Sequence, residues 1–253
     1  MSGKISVVMN TYNAEAHLER VLEHVSGFDE IVVCDMESTD STRAIAEKYG
    51  CRIVTFPKGA HKICEAARDF AIHSATNDWV LVVDADEIVP ATLRDCLYRK
   101  ISDENFCDAI AIPRINRLLG EEFNEKTDYQ LRFFLKHNTV WPAMIHSHPI
   151  VESHIIKLPG KREFSLLHLD DSSISARIGK MNTYTDYDKM RRVGRRFSKM
   201  GMIFRPVWFF TKSYVLQGGF RHGKRGIINA YLAAIYQMTL ISKTVEQQYS
   251  QQI

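Results

Sequence analysis

The chain has 253 residues and a formal net charge of +3, with 45% hydrophobic and 25% charged residues. That balance excludes a disordered chain and allows one large α/β domain or a domain with a sizeable appendage. Its five cysteines, an odd number without C-x-x-C spacing, exclude a disulfide framework and a structural zinc site, and point to a reducing, cytoplasmic setting.

No charged-then-apolar leader precedes the first strand, "KISVVMN", so export is not expected. The run ends at the polar turn "TYN", after which Ala16, Leu18, Val21, Leu22 and Val25 recur at helical spacing. "EIVVCD" reads as a second strand, and "STDSTRAIAEKYG" as a helix with a Ser/Thr/Asp start and a closing Gly50. "RIVTF" is a third strand ended by Pro57. "KICEAARDFAIHSA" is a helix, and the valine-rich run at 80–83 is a strand covered on both faces. This alternation predicts a mostly parallel sheet flanked by helices on both faces, with ligands beyond the carboxyl ends of the strands. "ATLRDCLYRKI" then reads as a helix, "DAIAIPRIN" and "YQLRFFLKH" as strands, and "VWPAMIHSHPIVESHII" and "FSLLHLD" as short extended segments. From about Ser172 the pattern is helical and basic, which divides the chain into residues 1–171 and an appendage at 172–253.

The strand at 80–83 runs into three acids, Asp84, Asp86 and Glu87. Were extended geometry to persist, Asp84 and Asp86 would share one face, and two like charges that close call for a cation. A solvated loop in which Asp86 or Glu87 caps the next helix fits the same residues. Thr11 and Asn13 follow the first strand and Asp35 ends the second, so all these polar groups fall on one rim. The absence of G-x-G-x-x-G and G-x-x-x-x-G-K-[ST] argues against a dinucleotide dehydrogenase and a P-loop nucleotidase.

Taken together, "SVVMNTYNAEAHLERVLEHV", "EIVVCDMESTDSTRAIAEKYG", "KICEAARDFAIHSATNDWVLVVDADEIV" and "DYQLRFF" resemble the family 2 glycosyltransferases with a GT-A nucleotide-sugar-binding fold. Small bacterial enzymes that glycosylate lipopolysaccharide core and related surface glycolipids are the nearest in pattern. The resemblance implies inverting transfer from a nucleotide sugar, a UDP-sugar first among them, to a glycolipid acceptor. It also implies Mg²⁺ or Mn²⁺ held at Asp84 and Asp86, with Asp84 also turned to the ribose. A hard cation on carboxylates stabilises the charge that grows on a leaving diphosphate. Thr11, Asn13 and Asp35 are implied against the nucleoside, and Arg68 against the donor phosphates, although Asp69 stands where asparagine is usual. Asp128 is the implied base, with Glu152 in reserve, and Arg132 and His146 face the acceptor. "IHSH" stands where relatives carry His-Glu, and His168 is a candidate for the metal or diphosphate shell.

Between residues 177 and 225 thirteen Lys and Arg face two acids, Asp186 and Asp188. Aromatics interleave with these charges, which predicts peripheral attachment to the anionic inner face of a membrane rather than nucleic-acid binding. The apolar stretch at 227–241 is shorter than the roughly 20 residues of a spanning helix. Two other classes compete: a haloacid-dehalogenase-like phosphatase, whose acids follow the first strand and not the fourth, and a non-catalytic membrane-surface protein, which needs no acids.

Overall fold

Strands and helices alternate from the first residues of the computed structural model, which describes residues 3–59, 65–124, 126–143, 147–170, 172–190, 192 and 196–250. In chain order the first unit contains β1 (Ile5–Thr11), α1 (Glu15–Val25), β2 (Glu30–Asp35), α2 (Thr42–Lys48), β3 (Arg52–Thr55), α3 (Glu65–His73), β4 (Trp79–Val82), β5 (Glu87–Ile88), α4 (Ala91–Ile101) and β6 (Ala109–Ile115). After a hairpin of β7 (Arg117–Leu118) and β8 (Glu121–Glu122), the chain continues through β9 (Asp128–Leu135), β10 (Thr139–Val140), β11 (Ile150–Val151), β12 (Ile155–Lys157) and β13 (Leu166–His168). The helices α5 (Ile174–Met190), α6 (Lys199–Thr211) and α7 (Gly223–Ser250) follow.

The main sheet has the order β3-β2-β1-β4-β9-β6-β13-β5, with β12 also paired to β6. Strands β1 to β4 run parallel, whereas β9 is antiparallel to both β4 and β6. Alternation along each strand divides the core between two faces. Val7, Met9, Leu81 and Val83 join Leu18 and Leu22 of α1 and Leu93 and Leu97 of α4. Val8, Val80 and Val82 point the other way, onto Ala67, Ala71 and Ile72 of α3. Trp79 stacks on Phe133 across the β4–β9 seam, with ring centroids 4.9 Å apart. Each fully buried aliphatic side chain here contributes about 1.5–3 kcal/mol, enough to fix the register and hence which strand ends meet.

Two compact units emerge, residues 1–116 with 127–170, and residues 117–126 with 171–253. The β7–β8 hairpin therefore clusters with the C-terminal helices. Its turn takes positive φ at Leu119 and Gly120. Glu121 pairs with Arg225 at 2.7 Å, and Arg177 donates to the Arg117 carbonyl at 2.8 Å. Within this unit Ser198 caps α6 by accepting the Gly201 N–H, and Gly226 lets α7 approach the Gly219 carbonyl. Among the described residues no helix is long and apolar enough to cross a membrane.

Candidate active site at the carboxyl rim of the sheet

Parallel β1, β2 and β4 end on one rim, and the antiparallel β9 begins there. Strands β6 and β13 are parallel to each other and antiparallel to β9, so their last residues reach the same rim. This topology gathers Thr11, Asp35, Asp84, Arg114, Asp128 and His168 from six strand ends or their continuations.

At the β1–β2 end the polar groups bind one another. Asp35 is fully buried; it accepts from Thr11 Oγ1 at 3.1 Å, from Ser38 Oγ at 2.5 Å and N–H at 3.1 Å, and from Arg43 at 3.3 Å. Asn13, at φ 50°, accepts the Thr39 N–H at 2.8 Å, and its own N–H donates to Ser38 Oγ at 3.0 Å. These bonds stitch the two loops into a rigid ledge, and left-handed backbone at asparagine suits such a turn.

At the end of β4 the extended geometry breaks. The Glu87 N–H donates to the Asp84 carbonyl at 2.9 Å, closing a turn that sends the two aspartates in different directions. Asp84 and Asp86 therefore do not share a strand face. Asp84 accepts Arg68 at 2.7 Å on one oxygen and Arg132 at 2.5 Å on the other. Burial opposes its ionisation, but the charges of Arg132 and Arg68 prevail and hold its carboxyl well below the usual range. Asp86 instead lies 3.3 Å from His168 Nε2. Nor does an acid cap the next helix, because α4 begins after Pro90. Glu87, fully buried, accepts the Asp84 N–H at 3.0 Å and lies 3.3 Å from Arg114 and 3.5 Å from Arg132.

Asp128, at the start of β9, accepts Arg114 Nε and Nη2 at 3.0 and 2.9 Å and Asn116 Nδ2 at 3.2 Å on one oxygen, and Gln130 at 2.8 Å on the other. Burial raises its affinity for a proton, yet the Arg114 charge and the donated bonds outweigh this and lower its pKa. Asn116 also links onward, its carbonyl oxygen 3.2 Å from His168 Nδ1. Burial disfavours the charged imidazole, and the carboxylates of Asp86 and Glu87 more than compensate, raising the His168 pKa.

Beneath Asp84 both arginines lie over the Trp141 indole, Arg68 at 4.9 Å and Arg132 at 5.9 Å from its centroid. Asp69 accepts the Trp141 N–H at 2.8 Å, and Trp141 Nε1 donates to Ser147 at 3.1 Å. The departure from asparagine at position 69 thus leaves a working acceptor.

The structure brings together Arg68, Asp84, Asp86, Asp128 and Arg132, and sets Thr11, Asn13 and Asp35 on the ledge at the neighbouring strand ends. Glu152 makes a backbone bond to Asn138, away from this network. His146 lies outside the described residues. Sequence reasoning missed Arg114, Asn116, Gln130 and Trp141. The only cue to Arg114 was a cation in the apolar strand "AIAIPRIN".

No group of three metal-binding side chains occurs among the described residues. A hard divalent ion that binds with a diphosphate needs only one or two protein ligands. Asp86 is one-third exposed and its Oδ1 carries no hydrogen bond among the described residues. His168 Nε2 faces the same space, where its proton meets Asp86; on losing that proton, with Nδ1 directed to Asn116, it would offer a lone pair to an ion. The donor set fits such an ion.

The model of Glycosyl transferase family 2 matches residues 6–149. An uncharacterised glycosyltransferase of Rickettsia conorii is 27% identical over 97% of this chain and 91% of its own. The lipopolysaccharide core biosynthesis glycosyltransferase LpsC of Rhizobium meliloti is 25% identical over 94% and 91%. Among solved structures, the Pyrobaculum calidifontis mannosyltransferase in complex with GDP-Man and Mn²⁺ superposes with a TM-score of 0.59 at 13% identity, covering 97% of this chain and 88% of the other. The fold is of the GT-A type.

Proposed function

This chain belongs to glycosyl transferase family 2, and we propose that it moves a sugar, with inversion, from a nucleotide sugar to a glycolipid of the lipopolysaccharide type. The observation that carries this reading is the turn after β4, which separates Asp84, neutralised by two arginines, from Asp86, which faces His168. Asp86 and His168 would hold Mg²⁺ or Mn²⁺, with Asp84 at the edge of that sphere. When bound, the ion supplies Lewis-acid stabilisation of the leaving diphosphate. Arg132 is buried, and its Nε and Nη1 make no hydrogen bond among the described residues, so it retains donors for oxygens of the donor phosphates or the acceptor. The ledge of Thr11, Asn13 and Asp35 supports the nucleoside.

Asp128 takes the proton from the attacking hydroxyl. Its depressed pKa keeps it ionised but makes it a weak base in the ground state. The proton therefore moves late, once the acceptor oxygen has begun to bond to the anomeric carbon and has become acidic. Arg114 holds the carboxylate in place while the opposite face of the sugar loses its diphosphate.

The LpsC similarity supports the choice of acceptor class, and the basic C-terminal unit supports an anionic membrane surface as its setting. Thermal melts against UDP-, GDP-, dTDP- and CMP-sugars, with and without Mn²⁺, test the donor half. One nucleotide series, with UDP expected first, should raise Tm only when the ion is present. Indifference to every nucleotide sugar would overturn the proposal in favour of a binding protein without catalysis.

A further inference from the structure

Helix α6 carries an apolar face that its own unit leaves in water. Met200, Ile203, Phe204, Val207 and Trp208 are each more than half exposed, at i, i+3, i+4, i+7 and i+8. That spacing confines them to about 140° of the helix circumference. Val215 and Leu216, in the π-helical turn Lys212–Leu216 that follows, extend the exposed apolar surface. Exposed patches of this kind on soluble chains mark a docking surface.

The charges at its margins identify what it meets. Arg196, Lys199 and Lys212 are exposed at the two ends of the helix. An open groove of about 410 Å³ at its start places Arg196 and Arg205 beside Phe204 and Trp208. No acid occurs between residues 189 and 245. A second copy would bring this cationic border against itself, so self-association through the face is opposed by like charge. A surface that is anionic at its boundary and apolar just beneath complements both properties at once.

We propose that α6 is a membrane-insertion helix, lying in the plane of an anionic monolayer with Met200, Ile203, Phe204, Val207 and Trp208 among the acyl chains and the flanking cations at the phosphates. The inference rests on the membrane setting proposed above and deepens it, because it makes attachment hydrophobic as well as electrostatic. It also selects among the aromatics: Trp208 enters, whereas Phe210 packs at a tilt against Tyr231 of α7, with ring centroids 5.4 Å apart, and stays with the protein.

The chain supplies its own reporter. Of its three tryptophans, Trp79 and Trp141 are buried and Trp208 is exposed. Titrating the full chain with phosphatidylglycerol vesicles should shift the Trp208 emission to the blue and leave a fraction bound after salt has screened the surface charge. Phosphatidylcholine vesicles should bind at least tenfold more weakly. Ile203→Glu together with Val207→Glu should abolish the blue shift and the salt-resistant fraction while leaving the melting temperature unchanged. Arg196→Gln should weaken partitioning about fivefold and spare the blue shift at saturation. Binding that salt fully reverses, without a blue shift, would overturn insertion and leave electrostatic adsorption standing. Absence of binding to either vesicle would overturn both, and concealment of Trp208 by self-association without lipid would assign the face to a second copy. Nucleotide-sugar melts on the same preparations, free of vesicles, report separately on the transferase reading.

Discussion

The strand rim and the C-terminal helices use the same cationic side chains for opposite ends. At the rim Arg68, Arg114 and Arg132 are spent on Asp84, Glu87 and Asp128, each at 3.5 Å or less, and two of them are nearly excluded from water. Around α6 the cations stand at the margin of exposed apolar residues with few acids in reach. Matched charges are fixed before any ligand arrives, which is what a site that stabilises developing charge requires. Exposed cations such as Arg196 and Lys199 beside apolar surface suit a partner that is anionic and apolar at once.

The largest test of the rim removes a charge from its lattice without changing its shape. Asp128→Asn should lower kcat by about 10²–10⁴ with little change in donor affinity. In the parent protein the acid limb of kcat/KM should fall below the ordinary aspartate range, because Arg114 keeps Asp128 ionised there. A steady-state pH profile reads both. Near-normal turnover by the variant would make Asp128 a brace for Arg114 and nothing more.

Next in size, Asp86→Ala should reduce transfer by about 10²–10³ and abolish the dependence of donor binding on Mn²⁺, measured by calorimetry. The fold should survive, since Asp86 is partly exposed. Stability then separates the two regions directly. Arg132→Met breaks a buried pair and should cost about 3 kcal/mol in urea unfolding. Arg196→Gln, on an exposed cation, should change stability by no more than about 0.5 kcal/mol.

Gly226→Ala should cost about 1–3 kcal/mol in the C-terminal unit, because a Cβ there would stand 1.8 Å from the Gly219 carbonyl oxygen, which is backbone and cannot rotate away. Hydrogen exchange localised to α7 would show it.

The smallest effect lies on the rim's own strand. Burial raises the pKa of Glu30, but bonds from Ser6, Thr76 and Arg52 overcome this and lower it from the ordinary 4.5. A carboxylate depressed on folding contributes stability that is complete above that unfolded value and fades as pH falls through the lower folded one. Glu30→Gln should therefore flatten the acid side of the stability profile and leave the neutral side parallel to that of the parent.

Much of the fold was legible because buried strands and amphipathic helices declare themselves by period. The runs at Ile5–Thr11 and Glu30–Asp35 and the stripe Leu18, Val21, Leu22 and Val25 are covered as their spacing requires. The rim was legible only as a list of residue types. The turn between the aspartates is closed within "DADE" by Glu87, but where Asp84 points is decided by Arg68, 16 residues before it, and Arg132, 48 residues after it. Arg114 and Trp141 were silent for the same reason: their partners are set by the antiparallel β9 and by Asp69, not by neighbours in sequence. The apolar face of α6 was hidden differently. Composition shows that aromatics and arginines mingle, but only packing shows which of them are left out.

The pairing of β13 with β5 places His168 opposite Glu87. His168 lies beyond residue 149, where the family match stops. A fragment trimmed to the recognisable segment would retain Asp86 and lose the imidazole beside it, along with the strand that fixes the turn on its far side. The family match therefore delimits less than the rim, and an expression boundary drawn at its end would yield a protein with the family's signature but without the imidazole that faces Asp86.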